Sequence, residues 1–135
     1  MNPDRMKELF VSFSDALGRL DESLREDIAK SSTIVDGTIQ RFEFTFELAW
    51  KLLRLILLRE GVEANTPRAA LKEAYRTKLV RDGDGWIDML EDRNKTSHLY
   101  DEAMSAAVYY KIKDSHFPLL RDFRDAAKTM LETVS

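Results

Sequence analysis

A chain of 135 residues, a third of them charged, with five glycines, three prolines and no cysteine, has the length for one domain with its own core and the composition of a helical protein with long solvated faces. The lack of cysteine excludes a disulfide framework, a thiolate metal site and a cysteine nucleophile, and suits a reducing compartment. A net charge of −3 argues against general affinity for nucleic acid, though it leaves room for a local basic site.

The longest apolar run, LLRLILL at 52–58, carries Arg54 and is too short to cross a bilayer. The first ten residues mix charges and lack the apolar core of a signal peptide. These features predict a cytoplasmic protein without membrane contact, folded as a single helical-bundle domain over residues 1–135.

Met6, Leu9, Phe10, Phe13, Leu17, Leu20 and Leu24 recur at three- and four-residue steps, which predicts a helix from about residue 4 to about 28, opened by Pro3-Asp4. The segment SSTIVDGT at 31–38 marks a boundary, with Gly37 already inside the next element. In RFEFTFELAWK at 41–51, three phenylalanines alternate with polar residues as in a strand. The longer window favours a helix, because Val35, Ile39, Phe42, Phe46, Ala49, Leu53 and Ile56 form an unbroken helical stripe. Phe44, Leu48, Leu52 and Leu55 form a second stripe. Two residues rotate a helix by about 200°, so Phe44 and Phe42 point nearly opposite ways. Either this helix is central in the bundle or its second face meets another subunit.

Gly61 ends that helix, and Thr66 followed by Pro67 starts the next. RDGDGW at 81–86 reads as a turn without phosphate-loop spacing, and Trp86, Met89 and Leu90 begin a short helix that runs into Arg93. After Tyr100 the chain is helical again, with Ala103, Ala107 and Tyr110 on one side. Pro118 breaks or kinks this segment, and a last helix follows. The expectation is an all-α, up-and-down four-helix bundle with one or two short extra helices.

The chemistry concentrates in RNKTSHLY at 93–100. Capping alone explains its charges, since Arg93, Lys95 and His98 complement a helix C-terminus and Asp101 and Glu102 a helix N-terminus. Capping does not ask for arginine, asparagine, histidine and tyrosine together, each with directed hydrogen bonds. Arg93 and His98 are five residues apart, about 140° around a continuous helix, so they converge only if the helix ends or unwinds near Thr96-Ser97 or if two subunits pair their sites. Glu91 and Asp92, just before Arg93, are candidates to hold it in an ion pair. His116, the other histidine, reads as a surface residue at a helix start, and His98 with Asp101 or Glu102 gives only a weak metal signal. No metal and no cofactor are expected. Imidazole is a base near neutral pH, and guanidinium grips phosphate with a planar fork. Together they suit attack by an RNA 2′-hydroxyl on its own phosphodiester, with His98 moving the proton, Arg93 stabilising phosphoryl charge and Asn94 orienting the substrate or the imidazole.

IQRFEFTFELAWK at 39–51, the Pro67 helix start, Trp86, Met89 and DRNKTSHLYDE at 92–102 together resemble the nucleotidyltransferase substrate-binding protein family, part of the HEPN superfamily and related to the HepT toxins. The resemblance runs from about residue 30 to the end, and its motif is Arg-x4-His-x-Tyr, here Arg93, His98 and Tyr100. It implies a helical bundle that forms a homodimer, with a cognate minimal nucleotidyltransferase as partner. It also implies a metal-independent ribonuclease in which Arg93 and His98 are catalytic, Asn94 supports them and Tyr100 receives adenylyl groups. The family carries a second assignment, the non-catalytic substrate-binding subunit of a two-component nucleotidyltransferase, in which the catalytic carboxylates and Mg²⁺ belong to the partner.

Overall fold

The computed structural model describes residues 3–133. Helix α1 spans Pro3–Leu24, and a short 3₁₀ turn at Ile28–Lys30 leads into α2, Ser32–Arg59. Helix α3 is Pro67–Arg76 and α4 is Gly83–Lys95, which tightens into a 3₁₀ turn at Thr96–His98. Helix α5, Glu102–Lys111, passes through a π-turn at Ile112–His116 directly into α6, Phe117–Glu132, so these three form one rod. The expected all-α bundle is what forms, and no described helix is long and apolar enough to cross a membrane.

Sequence chemistry accounts for the boundaries. Helix α1 buries its predicted stripe but stops at Leu24 rather than near 28, because Asp27 caps the separate 3₁₀ turn through the Ala29 amide. Helix α2 begins where Ser31 accepts from the Thr33 amide. It ends in a Schellman turn, with Val62 N–H donating to Leu57 carbonyl (2.9 Å) and Gly61 N–H to Leu58 carbonyl (3.0 Å), a geometry that puts Gly61 at φ 83°. Thr66 caps α3 through the Ala69 amide, with Pro67 at the first helical position. The stretch at 81–86 is only half a turn. Asp82 caps α4 through the Gly85 amide, and the helix begins at Gly83. Pro118 does not break the chain. Its ring would clash with the carbonyl four residues back in a regular helix, and the wider π-turn lies just there.

Helix α2 packs against α1, α3, α4 and α5, so it is the central helix. Phe42, Phe46, Ala49, Leu53 and Ile56 are buried, as is Leu52 of the second stripe. Leu48 and Leu55 are half-buried, and Phe44 is 60% exposed. The second stripe thus splits: its C-terminal end belongs to the core and its N-terminal end faces outward. Trp86 anchors α4 in the same core, edge-on to Phe123 of α6 at 5.9 Å.

Candidate active site at the end of α4

The motif sits where α4 loses its regular pitch. Thr96 turns its hydroxyl back to the Arg93 carbonyl at 2.8 Å, the chain tightens over Thr96–His98, and Leu99 is extended. Asp101 then caps α5 by accepting from the Met104 amide at 2.8 Å. The helix therefore ends between Arg93 and His98, which is the arrangement the spacing asked for if both were to serve one site within a single subunit.

Arg93 is half-buried, and its Nη2 donates to Glu47 Oε2 at 3.0 Å. Its Nη1 lies 3.5 Å from Asn94 Oδ1. Glu47, on central helix α2, also pairs with Lys51 at 3.5 Å. The expectation that Glu91 or Asp92 holds Arg93 is corrected: Glu91 is exposed, Asp92 faces another helix, and Glu47 is the partner. His98 is exposed on its 3₁₀ turn, with Nδ1 at 3.0 Å from the Tyr100 hydroxyl. Tyr100 is 79% exposed. Asn94 is exposed beside Arg93. The structure thus gathers the four predicted residues around one helix end, with the arginine and the histidine engaged by different partners. The Asp101 carboxylate is occupied with capping rather than with His98.

Behind the motif lies a buried network that sequence reasoning missed. His116 is fully buried, not a surface residue. Its Nε2 meets Asp92 Oδ2 at 2.6 Å, and its ring stacks on Phe42 with centroids 5.5 Å apart. Lys111 Nζ bridges Asp92 at 2.8 Å and Asp88 at 2.9 Å. Burial pushes the Asp92 carboxyl up, but the hydrogen bonds and charge of Lys111 and His116 outweigh it and hold the group below the usual carboxylate range. Burial lowers the proton affinity of His116, with Asp92 acting in opposition. Burial acts to lower that of Lys111 too, and there the two carboxylates prevail and raise it. The ligand atoms of Asp88, Asp92 and His116 lie within 4.8 Å of one another, a spacing suited to a metal. The Lys111 ammonium already bonds both carboxylates and supplies that positive charge.

A sequence signal for this network existed. Tyr109, Ile112, His116, Leu120, Phe123 and Ala127 recur at three- and four-residue steps, so His116 occupies a core position of the rod. Asp88 and Asp92 are four apart on one helix face, flanked by buried Trp86 and Met89. Glu47 had no comparable signal, because its pairing with Arg93 spans two helices.

Residues 8–129 match the family described as nucleotidyltransferase substrate binding protein like. The chain belongs to this family. It is 36% identical over 87 residues to a Haemophilus influenzae protein named probable ribonuclease HepT, a match covering 61% of this chain and 60% of that protein's length. A Thermus thermophilus protein of known crystal structure is 31% identical, with a TM-score of 0.73 over 88% of this chain and 98% of its own. The fold also matches, at 17% identity and a TM-score of 0.76, the tri-AMPylated Shewanella oneidensis HEPN toxin solved in complex with an MNT antitoxin, over 96% of this chain and 99% of that one. In this chain Arg93, His98 and Tyr100 sit around the end of α4, with His98 and Tyr100 exposed and Arg93 half-buried.

Proposed function

We propose that this chain is the homodimeric, cytoplasmic HEPN-type partner of a minimal nucleotidyltransferase, and that it is a metal-independent endoribonuclease built on Arg93 and His98. The observation that carries this reading is the end of α4 at Lys95, which leaves His98 exposed on a 3₁₀ turn with Nδ1 on the Tyr100 hydroxyl. In the tautomer whose Nδ1–H donates to the Tyr100 oxygen, the Nε2 lone pair is the base. It takes the proton of an RNA 2′-hydroxyl as that oxygen attacks the adjacent phosphorus. The P–O5′ bond breaks, the 5′-oxygen takes up a proton, and a 2′,3′-cyclic phosphate remains. Arg93, fixed through one Nη2 bond to Glu47, keeps other donors of its fork for the phosphoryl oxygens. Asn94 supports it from the next position. The outward Phe44 of α2 supports the dimer, since a second copy would give it a burial partner.

Tyr100 is the candidate acceptor of an adenylyl group. Its oxygen attacks the α-phosphate of ATP, pyrophosphate leaves and the phenolic proton goes to solvent. The new phosphodiester then sits on the oxygen that touches His98, where it blocks the approach of RNA phosphate. The nucleotidyltransferase supplies this chemistry, and the chain's toxin-like activity is thereby switched off.

A second reading, a non-catalytic substrate-binding subunit, is favoured by one observation: Glu47 already neutralises Arg93. A cleavage assay on total RNA with EDTA present separates the two, using protein purified without its partner. Cleavage by wild type but not by Arg93→Ala or His98→Ala, leaving cyclic phosphate ends, is the expected result. Equal cleavage by the variants, or none by any of the three, overturns the ribonuclease reading.

A further inference from the structure

A cleft of about 440 Å³ opens beside Tyr100, on the flank of the motif. Its apolar lining comes from Ile28, Val35, Leu99 and Ala106, and its acidic lining from Asp36, Asp101 and Glu102. Among the described residues, no lysine, arginine or histidine lines it. The starts of α2 and α5 border it, and each helix N-terminus contributes about half a positive charge. Against three carboxylates this leaves roughly two negative charges around an apolar floor. Asp101 is committed to the Met104 amide, whereas Asp36 and Glu102 are exposed.

The cleft continues into a surface. Each residue turns a helix by about 100°, so Ala103, Ala107 and Tyr110 lie on α5 next to the wall formed by Glu102 and Ala106. All three are exposed, and Tyr110 is 49% accessible. Tyr100 lines the cleft and is itself exposed. An apolar helix face thus adjoins an acidic cleft at the edge of the motif.

Charge decides what this face fits. RNA brings phosphates, which three carboxylates repel. A second copy of this chain with the two-fold axis through the cleft would bring the same acidic lining from both sides, with no cation in either. We infer that the cleft and the outer face of α5 form the docking site for a partner protein segment that places a lysine or arginine between Asp36 and Glu102 and an apolar side chain on the floor. Resting on the function proposed above, that partner is the nucleotidyltransferase, and docking here brings it against Tyr100. The homodimer contact then lies elsewhere, at the Phe44 end of α2.

The test is an amide NMR titration of the ¹⁵N-labelled full chain with three probes: an Arg-Leu-Leu-Lys peptide capped at both ends, its Glu-Leu-Leu-Glu counterpart, and a single-stranded RNA hexamer. The cationic peptide is expected to give saturating shifts at Val35, Asp36, Leu99 and Ser105. The double variant Asp36→Lys with Glu102→Lys is expected to weaken it at least tenfold with an unchanged circular dichroism spectrum; Asp101 is left in place because it caps α5. Leu99→Ser supplies a second variant that removes floor rather than charge, and a several-fold loss is expected. Equal binding of the acidic peptide, saturating shifts at Val35, Asp36 and Ser105 with RNA, concentration-dependent shifts there without any probe, or no shift with the cationic peptide would each overturn the assignment. The readout does not involve cleavage, so an inactive protein with an intact peptide site would fail the ribonuclease reading alone.

Discussion

His116 Nε2 lies 2.6 Å from Asp92 Oδ2 in the interior of the bundle, one residue along α4 from the motif's arginine. The imidazole reaches that carboxylate from a π-turn, and its other nitrogen, Nδ1, has no hydrogen-bond partner. A neutral ring tolerates this arrangement, since a bare lone pair costs less than a buried N–H with nowhere to donate.

This pair predicts the response to acid. His116 and Asp92 both hold protons less readily in the fold than in the unfolded chain, so the unfolded state binds more protons and stability falls as pH falls. For His116 the loss begins as pH drops through about 6.5, the value of a free imidazole, and continues toward its lower folded value. Asp92 adds a second loss below about 4. Urea midpoints measured from pH 8 to pH 3 should show both segments. His116→Phe, which keeps a ring against Phe42, should flatten the upper one; an unchanged slope there would assign it to another group.

Removing the carboxylate is a larger insult than removing its neighbour. Asp92→Ala leaves His116 buried with neither nitrogen satisfied and takes from Lys111 its buried partner. A loss of about 3 kcal/mol is expected, the low end for breaking a buried pair because Lys111 is partly exposed. Asp88→Ala touches only a half-exposed pair and should cost under about 1 kcal/mol. Chemical unfolding of the two variants side by side checks the ranking.

Glu47→Gln separates anchoring from neutralisation at Arg93. The Glu47–Arg93 pair is about one-third exposed, so stability should change by less than about 1 kcal/mol. If Arg93 serves phosphate, removing the competing carboxylate should tighten binding of a non-cleavable RNA several-fold, with a steeper dependence on salt. Unchanged RNA affinity would leave Arg93 as a tie between α4 and α2.

Gly61→Ala tests the Schellman turn. A side chain at φ 83° costs about 1–2 kcal/mol, although no atom crowds the added carbon. The melting temperature should fall while far-ultraviolet circular dichroism keeps its helical shape.

Much of this molecule is legible without coordinates. The α2 stripe through Phe42, Phe46, Ala49, Leu53 and Ile56, the Gly61 stop and the Thr66-Pro67 start are local signals, and the structure uses each of them. The unwinding near Thr96-Ser97 is one of the two arrangements that the five-residue spacing of Arg93 and His98 left open, the other being paired sites of two subunits. Partners across helices are not legible. Glu47 is 46 residues from Arg93, and which of many acids meets one arginine depends on how α2 and α4 cross. His116 misleads because a histidine before Phe117-Pro118 looks like a helix start, whereas the π-turn carries the helix through the proline.

Helix α2 serves the bundle as a measuring scale. Phe42 meets His116 and Glu47 meets Arg93, so two graduations about 7.5 Å apart along one axis fix the positions of two other elements. Sliding α2 by a single turn, about 5.4 Å, would misalign both marks together. The motif's arginine and the buried histidine are therefore indexed against the same rod, and a ligand that draws Arg93 away from Glu47 has a swing of the side chain open to it rather than a shift of the helix.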